Sequence, residues 1–92
     1  MDEHTVSVTS TSCMGFVTQV MTIFKEKNAD EVSIKARGGF ISSAVDVAEI
    51  AVKRFLEGQA EVNEIKIGSE ESMNAEGRKV RVSTIMIVLK KK

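Results

Sequence analysis

The segment Ile34–Asp46, IKARGGFISSAVD, contains the residue types of a phosphate-binding turn. Lys35 and Arg37 precede a Gly-Gly pair, and Ser42 and Ser43 follow where the pattern predicts a helix. The first N–H groups of a helix lack partners within it and attract anions, and neighbouring cations strengthen that attraction. The spacing matches neither a Walker loop nor a dinucleotide-binding GxGxxG turn. A phosphodiester contact and an ordinary capped strand-to-helix turn both fit these residues.

The other reactive side chains do not form a catalytic set. His4 is the only histidine and Cys13 the only cysteine, so no cluster has the spacing of metal ligands. Asp46 and Glu49 share a predicted helix face, but Lys53 follows Glu49 by four residues, which is typical of a solvated ion pair. We therefore predict a core position for Cys13, no metal or other cofactor, and no enzymatic activity.

Hydrophobic periodicity predicts the element order β-α-β-α-β-β, an α+β domain in which helices cover one face of a sheet. Ser12 is the predicted cap of the first helix. The predicted elements are strand Thr5–Thr9, helix Cys13–Lys27, strand Val32–Arg37, helix Ser42–Glu57, and strands Glu61–Gly68 and Lys79–Leu89.

Several finer features follow from the same patterns. The segment Ile85–Leu89 is apolar at every position, which indicates a strand covered on both faces, either as a central strand or at an interface. Imperfect alternation in Val62–Ile67 indicates a bulge. Phe55 falls on the inward face of the second helix, and Gly58 is placed to end that helix. The predicted loop Ser69–Arg78 is long for a hairpin, acidic at its tip and basic at its return, and is a candidate arm for nucleic acid.

Composition restricts the class of protein. The 92 residues, 42% hydrophobic and 28% charged, predict one domain over residues 1–92 with a core small enough that oligomerisation would help it. No segment has the length of a membrane span, and the single cysteine favours a reducing, cytoplasmic setting. The formal net charge is zero, yet residues 77–92 carry six cationic side chains and no acidic one. The acidic residues collect elsewhere, and include Asp2, Glu3, Asp30, Glu31, Glu61, Glu64, Glu70, Glu71 and Glu76.

Three segments of the chain resemble the Alba family of archaeal chromatin and RNA-associated proteins. They are EVSIKARGGFISSAVDVAEIAVKRFL (Glu31–Leu56), EIKIGSEE (Glu64–Glu71) and GRKVRVSTIMIVLKKK (Gly77–Lys92). The resemblance covers almost the whole chain. It implies a mixed four-stranded sheet of order 1-2-4-3, and a homodimer that binds double-stranded DNA and RNA through phosphates, with little sequence preference. It further implies a cytoplasmic, chromosome-associated protein that coats and condenses DNA, with no membrane partner.

The resemblance also assigns residues to surfaces. It implies a nucleic-acid surface composed of the first loop, the turn after the second strand, and the hairpin arm. The nucleic-acid-binding residues expected on this basis are Ser10, Thr11, Lys35, Arg37, Gly39, Arg78, Lys79 and Arg81. The residues expected at a dimer or dimer–dimer interface are Phe24, Phe55, Ile85 and Ile87.

The chain departs from the family pattern on this surface. Typical members read Gly-Lys-Lys-Pro in the first loop, whereas Ser10 and Thr11 stand in place of the lysine pair. Gly39 replaces the second arginine of the turn, and Ser43 and Val52 replace further basic residues. Each lost phosphate contact flattens the salt dependence of binding by ~0.9. We therefore expect weaker binding than in basic relatives, with Ser10, Thr11 and Ser43 offering hydroxyl contacts only, and no acetylation control at this loop.

A second interpretation belongs to a different class. The chain could retain the dimerising fold with little affinity for nucleic acid, and pair with a basic paralogue. The broad apolar stripe of the first predicted helix, Val52 and Phe55 favour this interpretation.

Overall fold

The predicted order of elements is confirmed. The computed structural model describes residues 4–92, so Asp2 and Glu3, counted above among the segregated acidic residues, lie outside the described residues. The elements are β1 (Thr5–Ser7), α1 (Cys13–Glu26), β2 (Glu31–Arg37), a 3-10 turn (Gly38–Phe40), α2 (Ile41–Ile50), a π-helical turn (Ala51–Phe55), β3 (Ala60–Met73) and β4 (Lys79–Lys91).

The strands form a mixed four-stranded sheet of order β1-β2-β4-β3, as expected. β1 and β2 are parallel, and β4 is antiparallel to both β2 and β3. Alternate residues of β2, including Ile34, are buried in one cluster with residues of both helices, so the helices cover one face of the sheet. We call the other face the open face. Because β4 is central, Ile87, Val88 and Leu89 are all buried, which confirms the prediction for that part of the strand.

The beginning of α1 differs from the prediction. Ser12 occupies the position before the helix, but its side chain makes no capping hydrogen bond. Its N–H group instead donates to Ser10 Oγ at 3.3 Å, so the polar side chain that satisfies the backbone belongs to the preceding turn. β1 ends at Ser7, two residues before the predicted end, although Val8 N–H still donates to the carbonyl of Lys35 at 2.8 Å.

The end of the second helix corrects the orientation of Phe55. Residues 51–55 form a π-helical turn, in which Leu56 N–H donates to the carbonyl of Ala51 at 2.8 Å. This turn contains more residues than an α-helical turn, so a 3.6-residue period no longer indicates which side chain faces the core. Leu56 is buried and Phe55 is 44% exposed, so the inward prediction for Phe55 is wrong.

Half of the predicted long loop belongs to a β-ribbon. β3 continues to Met73 and β4 begins at Lys79, so only residues 74–78 form the turn. Asn74 Oδ1 accepts hydrogen bonds from the N–H groups of Glu76 and Arg78 at 3.0 and 2.9 Å, and thereby closes the turn. We call residues 69–83 the arm. Its β3 side lacks alternating hydrophobicity because no helix covers it, which is why the sequence pattern did not indicate a strand there.

Two details of the sheet bear on the earlier expectations. The register between β3 and β4 shifts between Val62 and Glu64, which confirms the predicted bulge. Phe24 and Ile87 are only 4% and 2% exposed, because they belong to the core of the single chain. This burial contradicts their assignment to a dimer or dimer–dimer interface, since neither offers surface to a partner.

Candidate nucleic-acid interface

The turn after β2 places two cations on the open face of the sheet. Ile34 and Ala36 point into the core, so the alternating residues Lys35 and Arg37 are exposed on the opposite side. The sequence predicted this orientation correctly. Since the strands pair in register, Lys35 lies beside Met86 of β4 and Arg37 lies beside Thr84.

A third cation shares this face. Lys66 of β3 also pairs with Met86, so it lies in the same row as Lys35, on the other side of the central strand. Lys66 was not among the predicted site residues, although its position between Ile65 and Ile67 indicates that it faces away from the helix side. Its side chain is 61% exposed, and its Nζ lies 3.8 Å from Glu64 Oε1.

A depression of about 560 Å³ lies between these cations. Gly68, which pairs with Thr84, contributes no side chain to it. A Cβ at Gly68 would lie 3.3 Å from Thr84 Oγ1, closer than a comfortable contact. The residues lining the depression include Ser7, Thr9, Lys35, Arg37, Lys66, Gly68, Glu70, Thr84 and Met86.

The arm supplies a carboxylate to the same place. Glu70 Oε1 lies 3.0 Å from Arg37 Nη1, and the two side chains are 49% and 58% exposed. This ion pair joins the arm to the body of the sheet, and it was not anticipated from the sequence. The two residues are far apart along the chain, and only the pairing of β3 with β4 and of β4 with β2 brings them together.

The structure does not place the arm cations beside Lys35 and Arg37. Arg78, Lys79 and Arg81 are exposed at the tip and return of the arm. Arg81 pairs with Glu71, and the uninterrupted alternation from Thr84 puts its side chain on the opposite face of the ribbon from Glu70. The sheet therefore presents cations on both of its sides.

The first loop and the Gly-Gly turn contain little charge. Ser10 and Thr11 belong to the uncharged loop after β1, whose Thr9 borders the depression. Gly39 is exposed, and a Cβ built on it meets nothing within 4 Å. Ser43 is only 6% exposed, so its expected hydroxyl contact with phosphate is contradicted.

The phosphate-cradle interpretation of the turn is weakened by its geometry. A 3-10 turn precedes α2, and Ile41 N–H already donates to the carbonyl of Gly38. The N–H group of Ile41 is therefore not available to a ligand. The side chains of Lys35 and Arg37 are the stronger attraction for an anion here.

The remaining reactive groups have structural surroundings. Cys13 is half-buried against the core, and its Sγ donates to the carbonyl of Ser43 at 3.9 Å, as the predicted core position requires. Lys53 Nζ lies 2.8 Å from Glu49 Oε2, which confirms the ion pair, and hydrogen bonding to that carboxylate raises the pKa of Lys53. Within residues 4–92, no cluster of His, Cys, Asp and Glu suits a metal ion. No helix in the described part of the chain is long and apolar enough to cross a membrane.

This combination of a β1-β2-β4-β3 sheet, two helices on one face and a long hairpin arm defines the Alba fold. The Alba family model matches residues 4–69. The DNA/RNA-binding protein Alba of Methanococcus maripaludis is 40% identical over 87 residues, which span 95% of this chain and 97% of that protein. The chain belongs to the Alba family.

Solved structures agree with this assignment. Alba from Thermoplasma volcanium matches with a TM-score of 0.85 and 38% identity, over 94% of this chain and 98% of that chain. ALBA1 from Trypanosoma brucei matches with a TM-score of 0.74, over 99% of this chain and 71% of that chain. Its 24% identity supports the fold alone.

Proposed function

We propose that this protein binds double-stranded DNA and RNA as a homodimer, without sequence preference and more weakly than basic members of its family. The observation that carries the proposal is the exposed pair Lys35 and Arg37, held side by side on the open face by β2. Contacts from such side chains to phosphates supply affinity without reading the sequence. In the cell, the protein would act in the cytoplasm on the chromosome.

An uncovered apolar strip supports the dimer. Val62, Ile65 and Ile67 are 43%, 58% and 83% exposed. They lie on the helix side of β3, where neither helix reaches, and Ile85 is half-buried beside Ile67. A monomer gains stability when such a patch is covered by protein, and a second copy presents the same apolar residues. Ile85, together with the exposed Phe55, stays in the proposed interface.

The low charge of the first loop supports the weaker affinity. Ser10 and Thr11 offer neutral hydroxyl groups, so they release no counterions when they contact a phosphate. Arg37 is in addition engaged by Glu70, which competes with phosphate for the guanidinium. Both effects reduce the electrostatic part of the binding free energy, which dominates non-specific binding.

A fluorescence anisotropy titration with duplex DNA and duplex RNA, at about 20 mM and about 150 mM salt, tests this proposal. We expect binding to several unrelated sequences at the lower salt and marked weakening at the higher. Arg37→Glu should weaken all of them alike, whereas Lys25→Glu on α1 serves as a charge-matched control. Absence of binding at the lower salt, or a loss confined to one sequence, would refute the proposal.

The second candidate is a heterodimer with a basic paralogue, in which this chain supplies the dimerising fold and the partner supplies most of the charge. The observation that favours it is the same apolar strip combined with a neutral chain. Co-purification of a mixed dimer with a basic Alba protein, together with inert behaviour of this chain alone, distinguishes it from the first candidate.

A further inference from the structure

We propose that the depression on the open face is a binding subsite for a backbone phosphate, in which Lys66 joins Lys35 and Arg37. Glu70 holds Arg37 in this subsite until the phosphate displaces it. The inference rests on the proposed function, because it names the chemical group that the open face takes and the residues that take it.

The three cations are placed to converge. Lys35 and Lys66 flank Met86 in one row across three strands, which puts their backbones about 10 Å apart. Arg37 stands about 7 Å from Lys35 along the same strand. Lysine and arginine side chains span such distances, so all three can reach one anion above the central strand. Their combined field in a concave site favours a phosphate more than any of them does alone.

The floor of the depression suits an anion as well. Gly68 leaves open the space that a side chain would fill beside Thr84. The Thr84 hydroxyl can donate a hydrogen bond to a phosphate oxygen. Ser7 and Thr9, at the β1 edge, add two further hydroxyl groups to the lining. The lining also contains Met86 and the Glu70 carboxylate, so the three cations and the hydroxyl groups are the parts of it that fit a phosphodiester.

Arg37 and Lys66 each already have a carboxylate neighbour. Glu70 is 3.0 Å from Arg37, and Glu64 is 3.8 Å from Lys66. A phosphate and Glu70 carry the same sign, so they compete for the Arg37 guanidinium. Exposed ion pairs contribute little stability, so the Glu70 contact can be broken by a ligand that meets three cations at once. Glu70 therefore lowers the affinity without abolishing it.

The experiment compares variants of the full chain in the duplex titration. Lys66→Gln should weaken binding and reduce the salt slope by ~0.9 for each subunit engaged, whereas Lys53→Gln on the helix side should not.

Glu70→Gln should strengthen binding about two- to fivefold relative to Glu71→Gln, which removes the same charge one residue away on the other face of the arm. The excess should vanish in an Arg37→Gln background. Equal behaviour of the variants and their controls would overturn the subsite.

A second measurement separates the subsite from the proposed function. Inorganic pyrophosphate is titrated into isotope-labelled protein, and the amide resonances of Lys66, Gly68 and Arg37 are followed by NMR. Saturable shifts confined to these residues support the subsite even if no nucleic acid binds, in which case the proposed function alone fails. Absence of such shifts in a protein that binds duplexes leaves the function intact and overturns the subsite.

Discussion

At the scale of single residues, the missing side chain of Gly39 bears on nucleic-acid binding as much as the cations that are present. Gly39 stands where the family pattern has an arginine, yet its surroundings are open. Nothing in the fold therefore requires glycine at this position, in contrast to Gly38, whose φ is +57°. The fold is therefore not the reason why the turn lacks a second cation, since the backbone would accept an arginine at position 39.

We predict that Gly39→Arg strengthens binding to duplex DNA and steepens the salt slope by ~0.9 per engaged subunit. The physical reason is an added phosphate contact beside Arg37 at no cost in packing. Gly15→Arg is the matched control, because Gly15 is exposed on α1 and a Cβ there also meets nothing within 4 Å. Anisotropy titrations over a series of salt concentrations measure both slopes. A gain shared equally by the two variants would indicate a net-charge effect and contradict a contact at Gly39.

We predict that Gly38→Ala lowers the free energy of unfolding by about 1 kcal/mol, because an L-residue is strained at positive φ. Its Cβ would meet Val82 Cγ1 at 3.5 Å, an ordinary contact, so the backbone conformation is the main cause. Gly39→Ala at the neighbouring position should change stability much less. Urea denaturation followed by circular dichroism compares the two, and equal losses would argue against the strained turn.

At the scale of elements, the π-helical turn decides which side chain the second helix buries. The turn moves the inward position from Phe55 to Leu56, which closes the core beside Ala51 and Ala60. Phe55 is thereby presented to solvent on the surface of the chain. A local change of helical period thus converts a predicted core residue into a candidate contact residue.

This arrangement predicts unequal effects of two neighbouring truncations. Leu56→Ala should cost about 2–5 kcal/mol of stability, because it removes a buried side chain and leaves a cavity. Phe55→Ala should cost less, and its effect should depend on protein concentration if the ring contacts a second copy. Urea denaturation at several protein concentrations tests both expectations. A larger, concentration-independent loss for Phe55→Ala would contradict the placement of these residues.

At the scale of the whole molecule, the chain has two distinct surfaces. The open face carries Lys35, Arg37 and Lys66, and the helix side of β3 carries the apolar strip. The sheet separates them, so a partner can cover the strip while the open face stays accessible. Dimerisation would then double the cations that one duplex meets, which is how a chain of zero net charge could still bind DNA.

We predict that Ile67→Glu dissociates the proposed dimer, because it places a charge at the most exposed residue of the apolar strip. Met73→Glu, at another exposed apolar position on β3 but within the arm, is the control for the oligomeric state. Sedimentation velocity measures the oligomeric state, and anisotropy should show weaker DNA binding for the monomeric variant. A dimer that persists in Ile67→Glu would place the interface elsewhere.

Much of this architecture follows from local patterns. The alternation of Ile34 and Ala36 with Lys35 and Arg37 determines which face of β2 is buried, because successive side chains of a strand point to opposite sides. The apolar run Ile85–Leu89 likewise indicates a strand covered on both faces, because its residues are apolar at odd and even positions alike. The sheet order itself came from family resemblance, since hydrophobic periods do not state which strands pair.

Predictions from hydrophobic periodicity were wrong at two places in the chain. Period alone misplaced Phe55, because a π-helical turn is not visible in hydrophobicity. Hydrophobic period also predicts a loop at residues 69–73. These residues instead form a strand held by backbone pairing, and few of their side chains are buried. The interface assignment of Phe24 and Ile87 came from the family resemblance and not from a local pattern, and the core of the single chain buries both.

The sequence by itself therefore determined the order of the elements, the burial of their apolar faces and the outward direction of Lys35 and Arg37, since these depend on neighbours within a few residues. Only the tertiary structure decided that Lys66 lies in the same row as Lys35 and that Glu70 contacts Arg37. These relations depend on the register of strands that are distant in the chain. Register is fixed by the packing of the whole sheet, so no local pattern contains it.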